Sequence, residues 1–376
     1  MNLLENDTCI YSSASQNDQN SQKTSACNGC QLWSVPYFEQ LESKKNDLKN
    51  KLNTDIALEV KTAGPHGLRT RFDFTYEDGK MGLYSLVKEQ DKGFDKQPTK
   101  NLVDLEGCAQ LTPELLKAYI ALKKITFPFK KGSLRLRVSP DDKWGLWLDL
   151  ANVDIKSLLI EKKLLTDLSK QFELEIGQKR KTIDFNVGQN EQLKLKEPQP
   201  YPWFSSLNNA LYCAISSFTQ PGWKTGDLLI ETVLKWTSSV QTDQRIYEYG
   251  CGIGPFTLQL LKKGHHVHVF ENDLFALECL KLNCAGYTDK LSLNTDYDHE
   301  IHTALVNPPR SGLQNFSQIL QDKKPKKIIY ISCYPDSFKK DLDILSKDYS
   351  LTDVTLVDQF PQTSHYEVCA LLQRID

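Results

Sequence analysis

Apolar and polar residues alternate in two rhythms along this chain. Residues 33–52 repeat at helical spacing. Residues 66–90 alternate as strands around the turn EDGK, and 134–152 alternate again in LRLRV and GLWLDLA. The proline-rich segment EPQPYPWF, 197–204, reads as a boundary or hinge. Residues 12–25, SSASQNDQNSQKTS, are polar and low in complexity and are expected to form a flexible loop or disordered insert.

Beyond residue 205 strands and helices take turns. Strand RIYEY leads through a glycine turn into helix PFTLQLLKK, closed by Gly264. Strand HVHVFEN is followed by helix DLFALECLKLNCA, with Asp273 as N-cap and Gly286 just past its end. Strands LSLNTD, TALVNPP and KKIIYIS come next, then helix DSFKKDLDILSK and the strands LTDVTLVDQF and HYEVCALLQRI. This order predicts an α/β fold with a parallel sheet wound on both faces. The last two strands are expected as an antiparallel edge hairpin. Ligands of such sheets bind at the carboxyl ends of the strands.

The length of 376 residues suggests two or three domains. A mean hydropathy of −0.46 and the lack of a long uncharged apolar run exclude a membrane-spanning helix. The start, MNLLENDTC, shows no basic region followed by an apolar stretch, so a cytoplasmic protein is expected. Its ten cysteines then call for a role other than disulfides, and Cys279 and Cys284 read as small buried hydrophobes. The net charge of −2 carries no global mark of nucleic-acid binding. Local basic stretches exist at Lys130, Lys131, Arg135 and Arg137, and at Lys179, Arg180 and Lys181.

Candidate chemistry collects at the predicted strand ends. In EYGCGIGPF, Gly252 and Gly254 let backbone approach a ligand at a helix N-terminus, although a plain tight turn reads as well. Glu271 ends the next strand, where a carboxylate can accept ribose hydroxyls. A dinucleotide enzyme wants a third glycine where Thr257 stands. In VNPPRSGL, Asn307 sits where a side-chain amide could face both a cofactor and a substrate, and Arg310 suits a phosphate or an oxygen that becomes negative. Cys333 precedes a helix, whose dipole is expected to favour its thiolate. Glu367 enters the last apolar strand beside His365, and burial there would raise its proton affinity as a general base requires. Each of these features, taken singly, has an ordinary structural reading.

Together, CGIGPFTL, Glu271, NPPRSGL, ISCYPDSFKKDL and FPQTSHYE, in this order, resemble the RNA uracil-C5 methyltransferase family, as does GLRTRFDF, 67–74, which looks like its RNA-binding segment. The resemblance implies a Rossmann-like methyltransferase domain over 205–376, preceded by a cysteine-rich iron–sulfur and RNA-binding region, 1–120, and a central α+β RNA-binding region, 121–204. It implies S-adenosylmethionine as methyl donor, Cys333 as nucleophile, Glu367 as base, and Gln220, Gly250, Glu271 and Asn307 as cofactor residues. Gly250 stands where the family carries an aromatic residue. Glu248 replaces an aspartate, Pro255 an asparagine or glycine, Gly222 and Tyr334 asparagines, and Gln362 a histidine.

Cys27 and Cys30 form a CxxC pair, with Cys9 before and Cys108 after it. Four soft thiolates suit zinc or iron–sulfur. The resemblance implies a [4Fe-4S] cluster, the polar insert widening the gap after Cys9. It also implies a monomer acting on RNA, with 23S rRNA favoured and tRNA the alternative, the target uridine being flipped into the pocket. A methyltransferase for an exocyclic amine or small molecule and a non-catalytic RNA-binding derivative are the competing readings.

Overall fold

Residues 9, 27–85, 101–178, 180–184, 194–242, 244–294 and 301–375 are described by a computed structural model of the protein; the polar segment 12–25 and Lys179 lie outside them. The chain divides into two units. One comprises Met1–Pro36, Pro65–Ser205 and Ala214–Ser217, the other Tyr37–Gly64, Ser206–Cys213 and Phe218–Asp376. These units are drawn differently from the three regions that the resemblance implies. Residues 37–64 go with the C-terminal part, and the proline-rich 197–204 precedes the switch between units at Ser205/Ser206. Among the described residues, no helix is long and apolar enough to cross a membrane.

In the first unit, a sheet runs in the order Leu102–Val103, Lys80–Tyr84, Arg71–Glu77, Lys131–Val138, Trp144–Asp149, Glu173–Ile176, Lys181–Asp184 and Lys194–Lys196. The EDGK turn is a tight hairpin, because Asp78 and Gly79 both take positive φ (48° and 78°). Among the described strands of this sheet, only Trp144–Asp149 and Glu173–Ile176 pair in parallel, so their connection must cross over; helices Asn152–Ile160 and Lys162–Ser169 form it. Phe74, Tyr76, Leu134, Leu136, Leu146 and Leu148 make a core with Leu115, Ala118, Tyr119 and Leu122 of helix Pro113–Leu122.

The same strands correct one expectation. Arg135 and Arg137 do not offer a basic face to RNA. Arg137 is 1% exposed and donates to the Ser217 carbonyl at 2.6 Å. Arg135 pairs with Asp73 at 2.5 Å and lies 4.9 Å over the Trp147 ring. Two cations two residues apart share one side of a strand, and here that side is internal.

In the second unit, the sheet order is Leu58–Thr62, Tyr349–Asp358, Glu367–Arg374, Lys327–Ser332, Thr303–Val306, Arg245–Tyr249, His266–Phe270 and Leu291–Leu293. Every pairing is parallel except the two made by Glu367–Arg374. Ile328–Ile331 and Val368–Ala370 are wholly buried, as strands covered on both faces must be. Asp273 caps helix Leu274–Asn283 as expected, accepting from the N–H groups of Phe275 and Ala276. Gly286 instead lies within a short 3-10 turn, Ala285–Tyr287. The closing hairpin is antiparallel but not at the edge. Leu58–Thr62 pairs outside it, Leu58 opposite Val354.

Helix Tyr37–Leu52 belongs to this unit, beginning four residues later than its periodicity suggests. Its buried face is Gln40, Lys44, Leu48 and Leu52, a stripe at intervals of four that is half polar. The polar half finds partners on the loop of the closing hairpin. Lys44 Nζ lies 2.6 Å from Asp358, with side chains 2% and 0% exposed, and the Tyr37 hydroxyl donates to the same carboxylate at 2.6 Å. Burial lowers the Lys44 pKa and Asp358 opposes that shift. Lys44→Met removes one partner and leaves a carboxylate in the interior. The expected loss is about 3–5 kcal/mol of unfolding free energy, to be read from urea denaturation of the full chain.

Candidate active site

Strand Arg245–Tyr249 ends in a turn whose glycines at 250, 252 and 254 have φ of 72°, 56° and 83°, leading into helix Pro255–Lys262. A Cβ on Gly250 would stand 3.1 Å from the Asn307 carbonyl. Both the backbone angle and this close approach therefore favour glycine, which explains the missing aromatic residue. Glu271 secures the turn. Its Oε2 accepts from Gly252 N at 2.9 Å, and Oε1 from the N–H groups of Asn272 and Asp273 at 2.8 and 2.9 Å. A carboxylate has about four acceptor positions, so Glu271 spends most of its capacity on backbone and keeps little for a ribose. Asn307 N donates to the Tyr249 carbonyl at 3.3 Å, which brings NPPR beside the turn.

Two further polar pairs belong to this unit. Glu248 is 2% exposed and accepts from the Thr257 hydroxyl at 2.6 Å; burial pushes its carboxyl up to about 8. Gln220 Oε1 accepts from Gln359 Nε2 at 2.8 Å, while the buried Gln359 Oε1 has no hydrogen-bond partner. The motif reading missed Gln359 because a glutamine entering a turn has no sequence signature.

The catalytic candidates meet through strand register. Ser332 pairs with Val368, so the next step of the antiparallel ladder sets Cys333 against Glu367. Glu367 is 4% exposed, and burial pushes its carboxyl up to about 8, with Arg310 pulling the other way. Arg310 hydrogen-bonds the Cys333 thiol. The thiol's pKa is nonetheless raised, first by burial and then by the charge of Glu367, against the pull of Arg310. Cys333 stands two residues before helix Pro335–Leu345, and burial there works against the thiolate that the helix dipole is expected to favour. Burial, Arg310 and Lys44 lower the His365 pKa, so this ring joins the same electrostatic neighbourhood.

The NPPRSGL loop is pinned from below by Asp341. Its carboxylate accepts from Leu313 N at 2.8 Å and from the Tyr330 hydroxyl at 2.5 Å. A Cβ on Gly312 would come within 2.6 Å of that carboxylate, and Gly312 has φ of 82°. Arg310 is thus held over the thiol by a loop with little freedom to shift.

Two buried carboxyls raised from an ordinary 4.5 to about 8 tie stability to pH. Between those limits the folded chain keeps protons on Glu248 and Glu367 that the unfolded chain has lost. Their contribution is full below about pH 4.5 and disappears as pH rises through about 8. The thermal midpoint should accordingly fall from pH 5 to about 8, and Glu248→Gln should flatten that fall. A midpoint that instead rises over this range in the parent chain would refute the assignment.

Cys9, Cys27, Cys30 and Cys108 are half-buried cysteines of the first unit. They sense one another's charge: Cys108, Cys27 and Cys9 all raise Cys30, after burial. Burial pushes Cys108 up to about 11, with Cys27 and Cys9 adding to it. Gly29 N donates to Cys27 Sγ at 3.3 Å. Yet among the described residues no group of three or more His, Cys, Asp or Glu side chains is arranged to hold a metal ion.

The profile of the tRNA (uracil-5-)-methyltransferase family matches residues 289–375, which include NPPR, Cys333 and Glu367. An uncharacterized RNA methyltransferase of Bdellovibrio bacteriovorus is 38% identical, the match covering 93% of each chain. A 23S rRNA (uracil(1939)-C(5))-methyltransferase of Shewanella woodyi is 24% identical over 92% of this chain and 80% of its own. Among solved structures, tRNA (uracil-54, C5)-methyltransferase of Pyrococcus abyssi, in complex with S-adenosyl-L-homocysteine, superposes with a TM-score of 0.66 and 20% identity, over 92% of this chain and 86% of its own. With this likeness along nearly its whole length, the chain belongs to the RNA uracil-C5 methyltransferase family and is an S-adenosylmethionine-dependent enzyme.

Proposed function

We propose that the protein methylates carbon 5 of a uridine in 23S rRNA, with Cys333 as nucleophile and Glu367 as base. The observation that carries the reading is the juxtaposition of a thiol, a buried carboxyl of raised pKa and a guanidinium on adjoining strand ends. Bound S-adenosylmethionine supplies an electrophilic methyl group. Carbon 5 of uracil is too weak a nucleophile to take it unaided.

Arg310 stabilises the Cys333 thiolate, which adds to carbon 6 and pushes an electron pair toward the 4-carbonyl oxygen. The enolate's electron pair forms the bond from carbon 5 to the methyl group as that group's bond to the donor sulfonium breaks, leaving S-adenosyl-L-homocysteine. Glu367 then removes the carbon-5 proton. The released pair forms the 5,6 double bond and the carbon–sulfur bond breaks, restoring the Cys333 thiolate. A carboxyl near 8 suits the step, because a base works best with a pKa close to the operating pH. Gln220, Glu271 and Asn307 line the approach for the methyl donor, and Gly250 leaves room beside the Asn307 carbonyl.

Support for ribosomal RNA comes from the Shewanella relative; the Pyrococcus fold match supports transfer RNA as the second reading. Unmodified 23S rRNA and tRNA transcripts incubated with labelled methyl donor decide between them. Label in 23S rRNA alone supports the proposal, and label in tRNA alone replaces it. The four cysteines are proposed to take a [4Fe-4S] cluster of structural role, with no catalytic step passing through it. Their clustering supports this, each being close enough to raise its neighbours' pKa values. Anaerobic preparations should contain iron and acid-labile sulfide; zinc alone would overturn it.

A further inference from the structure

We infer that Gln40, on helix Tyr37–Leu52, is a positioning residue that holds the loop carrying Glu367 and so keeps the base aimed at the adduct formed on Cys333. The inference rests on the proposed role of Glu367. Residues 359–366 join the last two strands, and the register sets Glu367 opposite Val357 at the end of that loop. Few bonds within the loop stiffen it: Thr363 donates to the Phe360 carbonyl at 2.8 Å and accepts from His365 N at 3.1 Å. Gln359 at its start is hydrogen-bonded to Gln220, and further restraints come from a helix more than three hundred residues away in sequence.

Gln40 makes a two-point clasp. Its Oε1 accepts from the backbone N–H of Gln362 at 3.1 Å, and its Nε2 donates to Gln362 Oε1 at 2.7 Å. The backbone donor fixes which way the Gln40 amide faces. Gln362 has φ of 66°, a left-handed conformation uncommon for a residue with a side chain. Both glutamines are buried, at 1% and 4% exposure, so neither bond has water as a substitute. Lys44 adds two contacts at the start of the loop, to Asp358 and to the Phe360 carbonyl at 3.1 Å. At the far end the Tyr366 hydroxyl donates to Asp47 of the same helix at 2.6 Å. One helix thus grips the loop at its beginning, middle and end. The glutamine found where the family carries histidine is explained by its pairing with Gln40.

A loosened loop should hinder proton removal from carbon 5 while leaving addition of Cys333 and methyl transfer intact. Gln40→Glu tests this without opening a cavity. It keeps an acceptor for Gln362 N and turns the donor facing Gln362 Oε1 into a second, charged acceptor, so that the two oxygens repel and the clasp opens at that point. With ordinary uridine RNA and methyl donor, the full-length variant should accumulate a methylated protein–RNA adduct and release 5-methyluridine about tenfold more slowly, a barrier change of about 1.4 kcal/mol. Adduct formation on 5-fluorouridine RNA, which needs no proton removal, should proceed at the parent rate. Turnover equal to the parent with no adduct would overturn the inference. So would a parallel fall in both rates together with the melting temperature, which marks general damage. Glu367→Gln run alongside separates the two readings. If it too gives no adduct, the base assignment falls; if it traps adduct and Gln40→Glu does not, only the positioning role falls.

Discussion

Cys333→Ser is expected to reduce methyl transfer to background and to abolish every covalent RNA complex, while the affinity for S-adenosylmethionine stays unchanged. A serine hydroxyl at this position ionises far less readily than the thiol. Even the thiol works against burial and the nearby Glu367 charge, with only Arg310 in its favour. Little spare electrostatic help is left for an alkoxide. The side chain is half-buried and of similar size, so the fold should hold. Methyl incorporation into RNA and calorimetric binding of the methyl donor check the two halves separately. Appreciable turnover by the serine variant would remove the covalent route.

Glu367→Gln should behave in the opposite sense and trap the reaction rather than prevent it. Glutamine keeps the shape of a side chain that is 4% exposed and loses only its basicity. Turnover should fall by about 10²–10⁴-fold, the usual worth of a positioned base. The methylated adduct on ordinary uridine RNA should persist through denaturing electrophoresis. In the parent enzyme kcat/KM should climb steeply with pH up to about 8, where the ionised Glu367 carboxylate becomes available to accept the proton, and less steeply above it, because the Cys333 thiol raised by burial still has to ionise. The glutamine variant should lose that part of the profile. A variant that releases product at the parental rate places the base elsewhere.

The motif-bearing half of the catalytic unit was readable because each motif closes a strand. Tyr249, Val306 and Ser332 end parallel strands, and the glycine turn, NPPR and Cys333 follow them directly. Hydrophobic runs mark such strands, and chain order then sets them side by side. What stayed hidden depended on distant partners. Nothing in LEVKT announces that it pairs with residues 354–358, and a lysine within a helical pattern reads as a solvated face until Asp358 is set against Lys44. Arg135 and Arg137 were read as surface charge for the same reason. Periodicity shows which residues share a face, while burial depends on what arrives to cover it. The direction of the Cys333 shift also required the fold, since it is decided by desolvation and by Glu367 across the ladder.

The most direct measurement uses RNA containing 5-fluorouridine with labelled S-adenosylmethionine and the full-length protein. Fluorine at carbon 5 cannot leave as a proton, so the account predicts a stable complex in which the peptide bearing Cys333 carries a methylated fluorouridine nucleotide. A labelled RNA product with no protein-bound nucleotide, or an adduct mapped to another cysteine, would contradict it.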